Sequence, residues 1–151
     1  MHLTALMRFN VDVAAPIEVG PTPTGQRMVA NITGGAFDGE RLKGRIHASG
    51  ADWIRIDQAG MGHVDVRIVL ETADGANIYV AYSGFLEMNA RFGEAVAGGG
   101  ETQFGDLYLA TQLRFETGDP RYGWLNHTLA VGEGRVVPGG IEYQVYELAP
   151  A

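Results

Sequence analysis

Charged and aromatic side chains interrupt the strand-like segments of this chain where a plain strand would alternate Val and Thr. Asp52 and Trp53 stand together in one such segment, and Arg67 lies within another. Burial of a carboxyl group raises its pKa, so that it can donate or accept a proton near neutral pH. A guanidinium group holds an anionic oxygen group by two parallel hydrogen bonds. The pattern indicates acid/base chemistry on a small molecule, with Asp52 moving a proton and Arg67 anchoring an anionic group.

Each of these two residues also has a purely structural interpretation. Arg67 could form an ion pair with Asp65 or Glu71, which lie on the same face of its strand. Asp52 follows Gly50 and could stabilise a turn by accepting hydrogen bonds from backbone amides. The pattern of residues leaves both interpretations open.

Further candidates lie in neighbouring segments. Tyr79 could donate its hydroxyl to a developing oxyanion, although a strand tyrosine is more often simply packed. Glu116 could act as an acid or base, or it could cap the turn that follows. The remaining candidates are aromatic or polar residues that could contact a substrate: His47, Trp53, Tyr82, Arg114, Tyr122, Trp124 and Asn126.

The sequence contains no motif for a metal or an organic cofactor. It has no cysteine, and the spacing of its four histidines matches no metal-ligand signature. A phosphate-binding loop, a nucleophile elbow and a dinucleotide fingerprint are all absent, because Gly98-Gly99-Gly100 neither follows a strand nor precedes a helix. We therefore predict a cofactor-independent protein without a metal site.

Length and charge narrow the class further. The 151 residues fit a single domain, residues 1–151, and the net charge of −7 is dispersed along the chain. Nucleic-acid binding usually requires a basic face, so we expect no nucleic-acid partner. No apolar run has the length of a signal peptide or a membrane span, so we expect a cytoplasmic protein without membrane contact.

The hydrophobic pattern predicts an all-β fold. Apolar residues alternate with polar ones from Leu3 to Val13, and Asp74-Gly75 is a typical hairpin turn. The pattern predicts eight or nine strands, including one from Tyr122 to Gly132, and a loop over residues 14–26. Strands at this spacing favour a small closed antiparallel β-barrel over a sandwich.

One segment departs from this pattern. Residues 86–97 contain one weak helix, and the glycine-rich stretch up to residue 105 could form a mobile lid or an interface. A small-molecule ligand and a homo-oligomer, a dimer or higher, are the expected partners. The apolar strand face of Val66, Ile68 and Leu70 could form the subunit interface if it lies on the outside.

Several motifs, in order along nearly the whole chain, resemble domain-of-unknown-function family 3237, also called uncharacterised protein family 0311. These motifs are Ile32–Phe37, Gly50–Trp53, the Asp65/Arg67 pair, Arg114–Asn126 and Tyr143–Glu147. The resemblance implies a barrel similar to that of allene oxide cyclase. It also implies that a small phenolic or conjugated molecule undergoes ring closure or bond cleavage inside the barrel without a cofactor. Carboxylated molecules are among the possible substrates.

Three functions follow from this reasoning. The first is a cofactor-independent lyase or cyclase that uses acid/base chemistry. The main alternative is a lipocalin-like protein that binds a small molecule without transforming it, with nearly the same sequence. The third is an oligomeric structural or accessory protein. Proton-moving groups inside the barrel would distinguish an enzyme from a carrier, whereas the pattern does not say which strand face is the inner one.

Overall fold

In the computed structural model, which describes residues 1–151, ten strands form one antiparallel sheet. The elements are β1 (His2–Val13), β2 (Ile17–Thr22), β3 (Gly25–Asp38), β4 (Lys43–Ile46), β5 (Ala51–Ile56), β6 (Met61–Thr72), β7 (Asn77–Glu87), α1 (Ala90–Gly98), β8 (Leu109–Glu116), a 3₁₀ helix (Pro120–His127), β9 (Ala130–Val137) and β10 (Gly140–Ala149). Neither helix has the length and apolar content needed to cross a bilayer.

The sheet closes into a barrel because β1 pairs with β10 on one side and with β3 on the other. Between β3 and β6, the short strands β4 and β5 share one position in the ring, and β2 pairs only with β3. Closure leaves no free edge around the ring. The predicted small closed antiparallel β-barrel is therefore confirmed. The prediction of a plain loop over residues 14–26 is wrong, since it contains β2.

Burial along β6 identifies the inner face of the barrel, and the interior that this face surrounds is called the lumen below. Val66, Ile68 and Leu70 are buried, whereas Asp65 and Arg67 between them are exposed. A strand turns alternate side chains to opposite faces, so the apolar set faces the lumen. The hypothesis that these three apolar residues form a subunit interface is wrong, because they are part of the hydrophobic core.

The barrel has a closed end, formed by residues 39–42, 73–76 and 117–129. There the 3₁₀ helix places Leu125, which is 0% exposed, into the core. The prediction of a strand beginning at Tyr122 is wrong. Asp119 caps the helix by accepting from the Arg121 N–H, and Pro120 favours a helical first turn over a ladder because it has no N–H.

At the other end of the barrel, called the open end below, β5 turns into β6 and α1 connects β7 to β8. The inward-facing residues of this end are only partly buried: Val13, Met28, Ile54 and Ile56. The predicted short helix is confirmed as α1, which Asn89 caps by accepting from the Phe92 N–H. Its C-cap is Gly99, whose φ of 63° favours glycine. A role for this segment as a lid or interface remains a prediction.

Candidate functional site

Asp52 faces the lumen, as its partners in the two neighbouring strands show. It lies opposite Ala30 of β3 and Val66 of β6, and both partners are buried. Its carboxylate Oδ1 accepts a hydrogen bond of 3.2 Å from the Asp65 backbone N–H. The side chain is partly buried, between the core and the solvent. Asp52 therefore brings a carboxyl group into an otherwise apolar wall.

Burial raises the pKa of Asp52 from 3.8 to about 7. The Asp65 N–H opposes this rise by stabilising the carboxylate, and the negative charge of the Asp65 side chain adds to it. A group with a pKa close to neutral pH is present in both its acid and its base form, which is what general acid/base catalysis requires. Asp52 has the electrostatic properties of a proton-transferring residue.

Three aromatic rings meet in the lumen near this carboxyl group. Phe9 stacks on Tyr143 at 5.0 Å between ring centroids, and Tyr82 meets both rings edge-on, at 5.7 Å from Phe9 and 5.4 Å from Tyr143. Burial raises the pKa of both tyrosines above the usual range, and the charge of Asp52 adds to the effect. At neutral pH both phenols are therefore protonated hydrogen-bond donors.

Tyr82 and Tyr143 are each more than 95% buried as residues, and their hydroxyls form no hydrogen bond within the chain. Thr111 Oγ1 is the one buried side-chain polar atom without a partner. A Cβ at Gly132 would lie 2.9 Å from Thr111 Oγ1 and 3.4 Å from the Tyr143 ring, so both residues border this glycine. Buried polar groups are usually satisfied. The buried Thr111 hydroxyl and the two phenols without a partner in the chain therefore indicate a place for a polar ligand or for water.

The lumen carries no basic side chain to balance Asp52. Every arginine and lysine of the strands lies on the outer face; for example, Arg67 pairs with Ala51, and Arg114 pairs with Ala81. Glu147 shares the inward register of β10, but it forms an ion pair with Arg41 at the closed end. A ligand in the lumen would meet a carboxyl group, hydroxyls and aromatic rings, a set that suits a neutral molecule.

Arg67, predicted to anchor an anion, lies on the outer face and is half exposed. Its guanidinium lies 5.1 Å from the centroid of the Trp53 ring and 4.0 Å from the Asp65 carboxylate. The Asp65 contact is the ion pair that the sequence left open as an alternative. Trp53, whose parity is opposite to that of Asp52, shares this outer surface with Arg67. Neither side chain is placed where it could contact a ligand in the lumen.

The other two predicted catalytic residues, Tyr79 and Glu116, lie on the outer face. They pair with each other across β7 and β8, and Tyr79 is 41% exposed. Two predicted substrate-binding residues also lie outside: Arg114 is exposed on the same face of β8, and His47 bonds to Asn77 at 3.0 Å and lies 3.2 Å from Glu71. Of the eleven candidates, the structure places only Asp52 and Tyr82 together in the lumen; the catalytic role of Asp52 and the substrate-binding role of Tyr82 remain predictions.

The remaining three candidates stabilise the closed end. The Tyr122 hydroxyl donates to the Asp74 carboxylate, with both oxygens at 2.9 Å. The Asn126 side chain accepts from the Thr117 N–H and donates to the Thr117 carbonyl. Trp124 lies beneath the Arg41 guanidinium, 3.9 Å from the ring centroid. These contacts account for Tyr122, Trp124 and Asn126 without a substrate.

Sequence reasoning missed Tyr143 and Thr111 as site residues. Tyr143 shares the inward face of β10 with Val145, and Thr111 shares that of β8 with Leu113. A polar atom on an otherwise apolar strand face is the signal that could have identified both residues. It becomes informative only when the inner face of each strand is known.

Two cavities of the surface lie apart from this cluster. One, of about 410 Å³, runs along the outer face of β1, β3 and β10, and the other, of about 320 Å³, lies beside α1. Asp52 lines neither of them. We place the candidate site at Asp52 because its carboxyl group interacts with Tyr82 and Tyr143, whose hydroxyls form no hydrogen bond within the chain. No group of three or more His, Cys, Asp or Glu side chains could hold a metal ion.

The sequence and the fold define a family. The model of the family described as "Protein of unknown function (DUF3237)" matches residues 1–148, and the chain belongs to this family. A UPF0311 protein of Rhodopseudomonas palustris strain TIE-1 is 32% identical over 121 residues, covering 80% of this chain and 77% of the relative. A UPF0311 protein of Bradyrhizobium diazoefficiens is 30% identical over 109 residues, covering 72% and 71%.

Solved structures share the barrel. A beta-barrel like protein from Acinetobacter baumannii AYE is 38% identical, with a TM-score of 0.83 over 98% of this chain and 96% of that chain. A conserved protein of unknown function from R. palustris has a TM-score of 0.87 at 25% identity, covering 98% and 97%. A structure described as an enzyme from Penicillium herquei has a TM-score of 0.69 at 19% identity, covering 95% and 93%.

Proposed function

We propose that this protein is a cofactor-independent enzyme that isomerises, cyclises or cleaves a small neutral molecule by acid/base chemistry at Asp52. The observation that carries the proposal is a carboxyl group with a pKa of about 7 that interacts with Tyr82 and Tyr143, whose hydroxyls form no hydrogen bond within the chain. The substrate would be a phenolic or conjugated carbonyl compound, entering at the open end and packing against the rings of Phe9, Tyr82 and Tyr143.

The proposed reaction begins with proton removal. The Asp52 carboxylate would take a proton from a carbon next to the substrate carbonyl or from a phenolic hydroxyl, and the electron pair would move into the conjugated system. Tyr82 and Tyr143 would donate hydrogen bonds to the oxygen on which negative charge develops. Asp52 would then return the proton to a different atom. Atoms and electrons balance without an oxidant or reductant.

The chemistry of the lumen favours this class of substrate. Without a basic side chain, the lumen would bind a carboxylate poorly, since burial of an unpaired charge is costly. A neutral carbonyl can accept from the phenols without this penalty. The P. herquei protein, which shares only the fold, is described as an enzyme, and this description supports the proposal. This proposal replaces the expected Arg67-anchored carboxylate with a neutral substrate.

Purified protein should be incubated with a panel of neutral phenolic ketones and their unsaturated relatives, and the products should be followed by mass spectrometry. The Asp52→Asn variant removes the proton-transferring group and retains the shape of the side chain. Arg67→Ala is the matched control, because Arg67 lies on the outer face of the adjacent strand. We expect turnover by the wild type and by Arg67→Ala, and a loss of at least about 100-fold in Asp52→Asn.

The pH dependence provides a second criterion. If the Asp52 carboxylate is the base, kcat/KM should rise with pH to a plateau, with a midpoint near the Asp52 pKa of about 7. Turnover that is equal in the wild type and in Asp52→Asn would refute the proposed role of Asp52. Saturable binding of panel compounds without any product would instead support the carrier function.

A further inference from the structure

The hydrogen-bond ladder between β5 and β6 is interrupted next to Asp52. Ala51 pairs with Arg67 and Asp52 with Val66, and pairing resumes at Arg55 and His63. The two intervening positions of the ladder are unpaired. In a continuous antiparallel ladder, the Trp53 carbonyl would accept from the Asp65 N–H at this level. The interruption therefore concerns one specific backbone hydrogen bond.

Two side chains replace this missing bond. The Arg27 Nη1 donates to the Trp53 carbonyl at 2.8 Å, from the outer face of β3. The Asp65 N–H donates to Asp52 Oδ1 at 3.2 Å. Both backbone groups are thus satisfied, but by side chains from opposite sides of the sheet. This exchange is what couples the Asp52 carboxylate to the backbone of β6.

We propose that Arg27 is a positioning residue for Asp52: by occupying the Trp53 carbonyl, it leaves the Asp65 N–H free to bind the Asp52 carboxylate. Without the guanidinium, the Asp65 N–H would turn to the Trp53 carbonyl and complete the ladder. Asp52 would then lose its only hydrogen bond to the protein. The proposal gives an outer-face arginine control over the protonation of a group in the lumen.

The titratable groups that act on the Asp52 carboxyl are few. Asp65 contributes a negative charge from the outer face of β6, and Tyr82 of β7 and Tyr143 of β10 contribute neutral phenols from the lumen. Ala30, its neighbour on β3, carries no polar side chain. The hydrogen bond of Arg27 goes to the Trp53 carbonyl and to none of these groups. Its effect should therefore act through the backbone hydrogen bond and not through a neighbouring titrating side chain.

The inference depends on the proposed function only for the biological meaning of Asp52, and its test needs no substrate. The Asp52 side-chain carboxyl carbon and the Asp65 amide should be followed by NMR from about pH 4 to about pH 9 in isotope-labelled protein. Wild type should be compared with Arg27→Met and Arg27→Gln, which lack a donor of the same reach. Arg55→Met is the matched control: Arg55 pairs with Arg27 across the ladder but bonds to Thr24 and His63.

In the wild type and Arg55→Met, the Asp65 amide should shift with the Asp52 titration, and this response should vanish in Asp52→Asn. In both Arg27 variants, we expect the Asp52 midpoint to rise by about one pH unit, because a hydrogen bond to the carboxylate is lost. The amide response to Asp52 should also weaken. The amide spectrum of each variant reports directly whether it is folded.

An unchanged Asp52 midpoint in a folded Arg27 variant would overturn the inference, whether or not the protein proves to be an enzyme. An equal shift in Arg55→Met would also overturn it, because the effect would then be a general loss of positive charge from the outer face. Conversely, a shift in the Arg27 variants alone would support the positioning role even if no panel compound is turned over.

Discussion

The two ends of the barrel treat buried and half-buried polar groups in opposite ways. At the closed end, the Tyr122 hydroxyl reaches the Asp74 carboxylate, and the Asn126 amide binds both backbone groups of Thr117. Towards the open end, the hydroxyls of Tyr82 and Tyr143 have no partner in the chain. Both regions are built from the same kinds of residue. The contrast lies in whether the fold supplies the partners.

This difference separates stability from chemistry. Satisfied polar groups at the closed end lock the 3₁₀ helix against the β6–β7 turn, which should raise the free energy of unfolding. Polar groups without a partner near Asp52 lower the stability of the fold. Proteins keep such destabilising groups where a functional site requires them. The comparison predicts that substitutions at the closed end destabilise the fold, and that equivalent substitutions near Asp52 are neutral or stabilising but impair activity.

The largest effect is expected from Leu125→Ala at the closed end. Leu125 is completely buried, so truncation removes its packing and leaves a cavity. We expect the free energy of unfolding to fall by about 3 kcal/mol. Urea denaturation of the variant and the wild type measures this change. A loss below about 1 kcal/mol would mean that neighbouring side chains fill the cavity left by the truncation. In that case Leu125 would not be tightly packed, and the 3₁₀ helix would not seal the core.

Asp52→Asn should have the opposite sign. The folded-state pKa of Asp52 is raised from 3.8 to about 7, so the folded chain holds the proton more tightly than the unfolded chain. The contribution of Asp52 to the free energy of unfolding therefore falls as pH rises from about 3.8 to about 7. Above about pH 7, the folded protein bears the full destabilisation from a buried carboxylate. At pH 8 we expect Asn to stabilise the protein by about 2 kcal/mol, a value reduced from the full shift because Asp52 is partly solvated.

The control for this prediction is the same comparison near pH 3, below the unfolded pKa of 3.8, where Asp52 is protonated in both the folded and the unfolded chain. Urea denaturation should then give nearly equal free energies of unfolding for the variant and the wild type. A stabilisation that is the same at pH 3 and pH 8 would contradict the assignment of the effect to ionisation of Asp52.

A matched pair of Tyr→Phe substitutions sharpens the comparison between the two ends. Tyr122→Phe deletes the hydroxyl that donates to Asp74 and should lower the free energy of unfolding by about 1 kcal/mol. Tyr143→Phe deletes a hydroxyl without a partner and should change it by less than about 0.5 kcal/mol. Thermal and urea denaturation distinguish the two. Equal losses would show that Tyr143 has a partner that the fold does not reveal.

Asp74 adds a pH dependence to the Tyr122 substitution. Hydrogen bonds from Thr72 and Tyr122 lower the pKa of Asp74 in the folded state. A lowered carboxyl pKa stabilises the fold at pH values above the unfolded pKa, and this contribution is lost as pH falls through the folded pKa. Part of this stabilisation by the Asp74 carboxylate should be absent in Tyr122→Phe, which lacks one of the two hydrogen-bond donors. The difference between the variant and the wild type should therefore shrink in acid, as unfolding near pH 2 and pH 7 would show.

The smallest effect is expected from Thr111→Val, which replaces a buried hydroxyl without a partner by a methyl group of similar size. We expect a stabilisation of about 0.5 kcal/mol, because no hydrogen bond is lost and an unsatisfied polar atom is removed. Calorimetric unfolding would detect the change as a small rise in Tm. A clear destabilisation would show that an ordered water or another group satisfies Thr111.

Much of the barrel was predictable from local sequence. The alternation from Leu3 to Val13 predicted β1, and Asp74-Gly75 predicted the turn between β6 and β7. The strand assigned from Tyr122 was wrong, because apolar and polar residues also alternate in a segment whose structure Asp119 and Pro120 determine. β2 was missed for a different reason: Pro21 and the flanking Pro16 and Pro23 suggested a loop. Proline is tolerated here because β2 pairs with β3 alone and leaves its other edge free.

The candidate site was only partly predictable. Strand parity correctly separated Asp52 from Trp53 and Tyr79 from Tyr82, but it did not say which member of each pair faced inward. The preference for Arg67 and Tyr79 as catalytic residues depended on residue chemistry alone. The structure places both outside and leaves Asp52 and Tyr82 in the lumen.

The sequence by itself therefore determined most of the strands, the family and the two alternative faces of each of those strands, because these follow from local alternation and from motifs. Only the tertiary structure decided which face became the lumen, since closure through β1 and β3 buries one face of every strand at once. Closure also brought Tyr143 to Asp52 from a strand about 90 residues away. The raised pKa of Asp52 arises from that burial, which residue order alone does not specify.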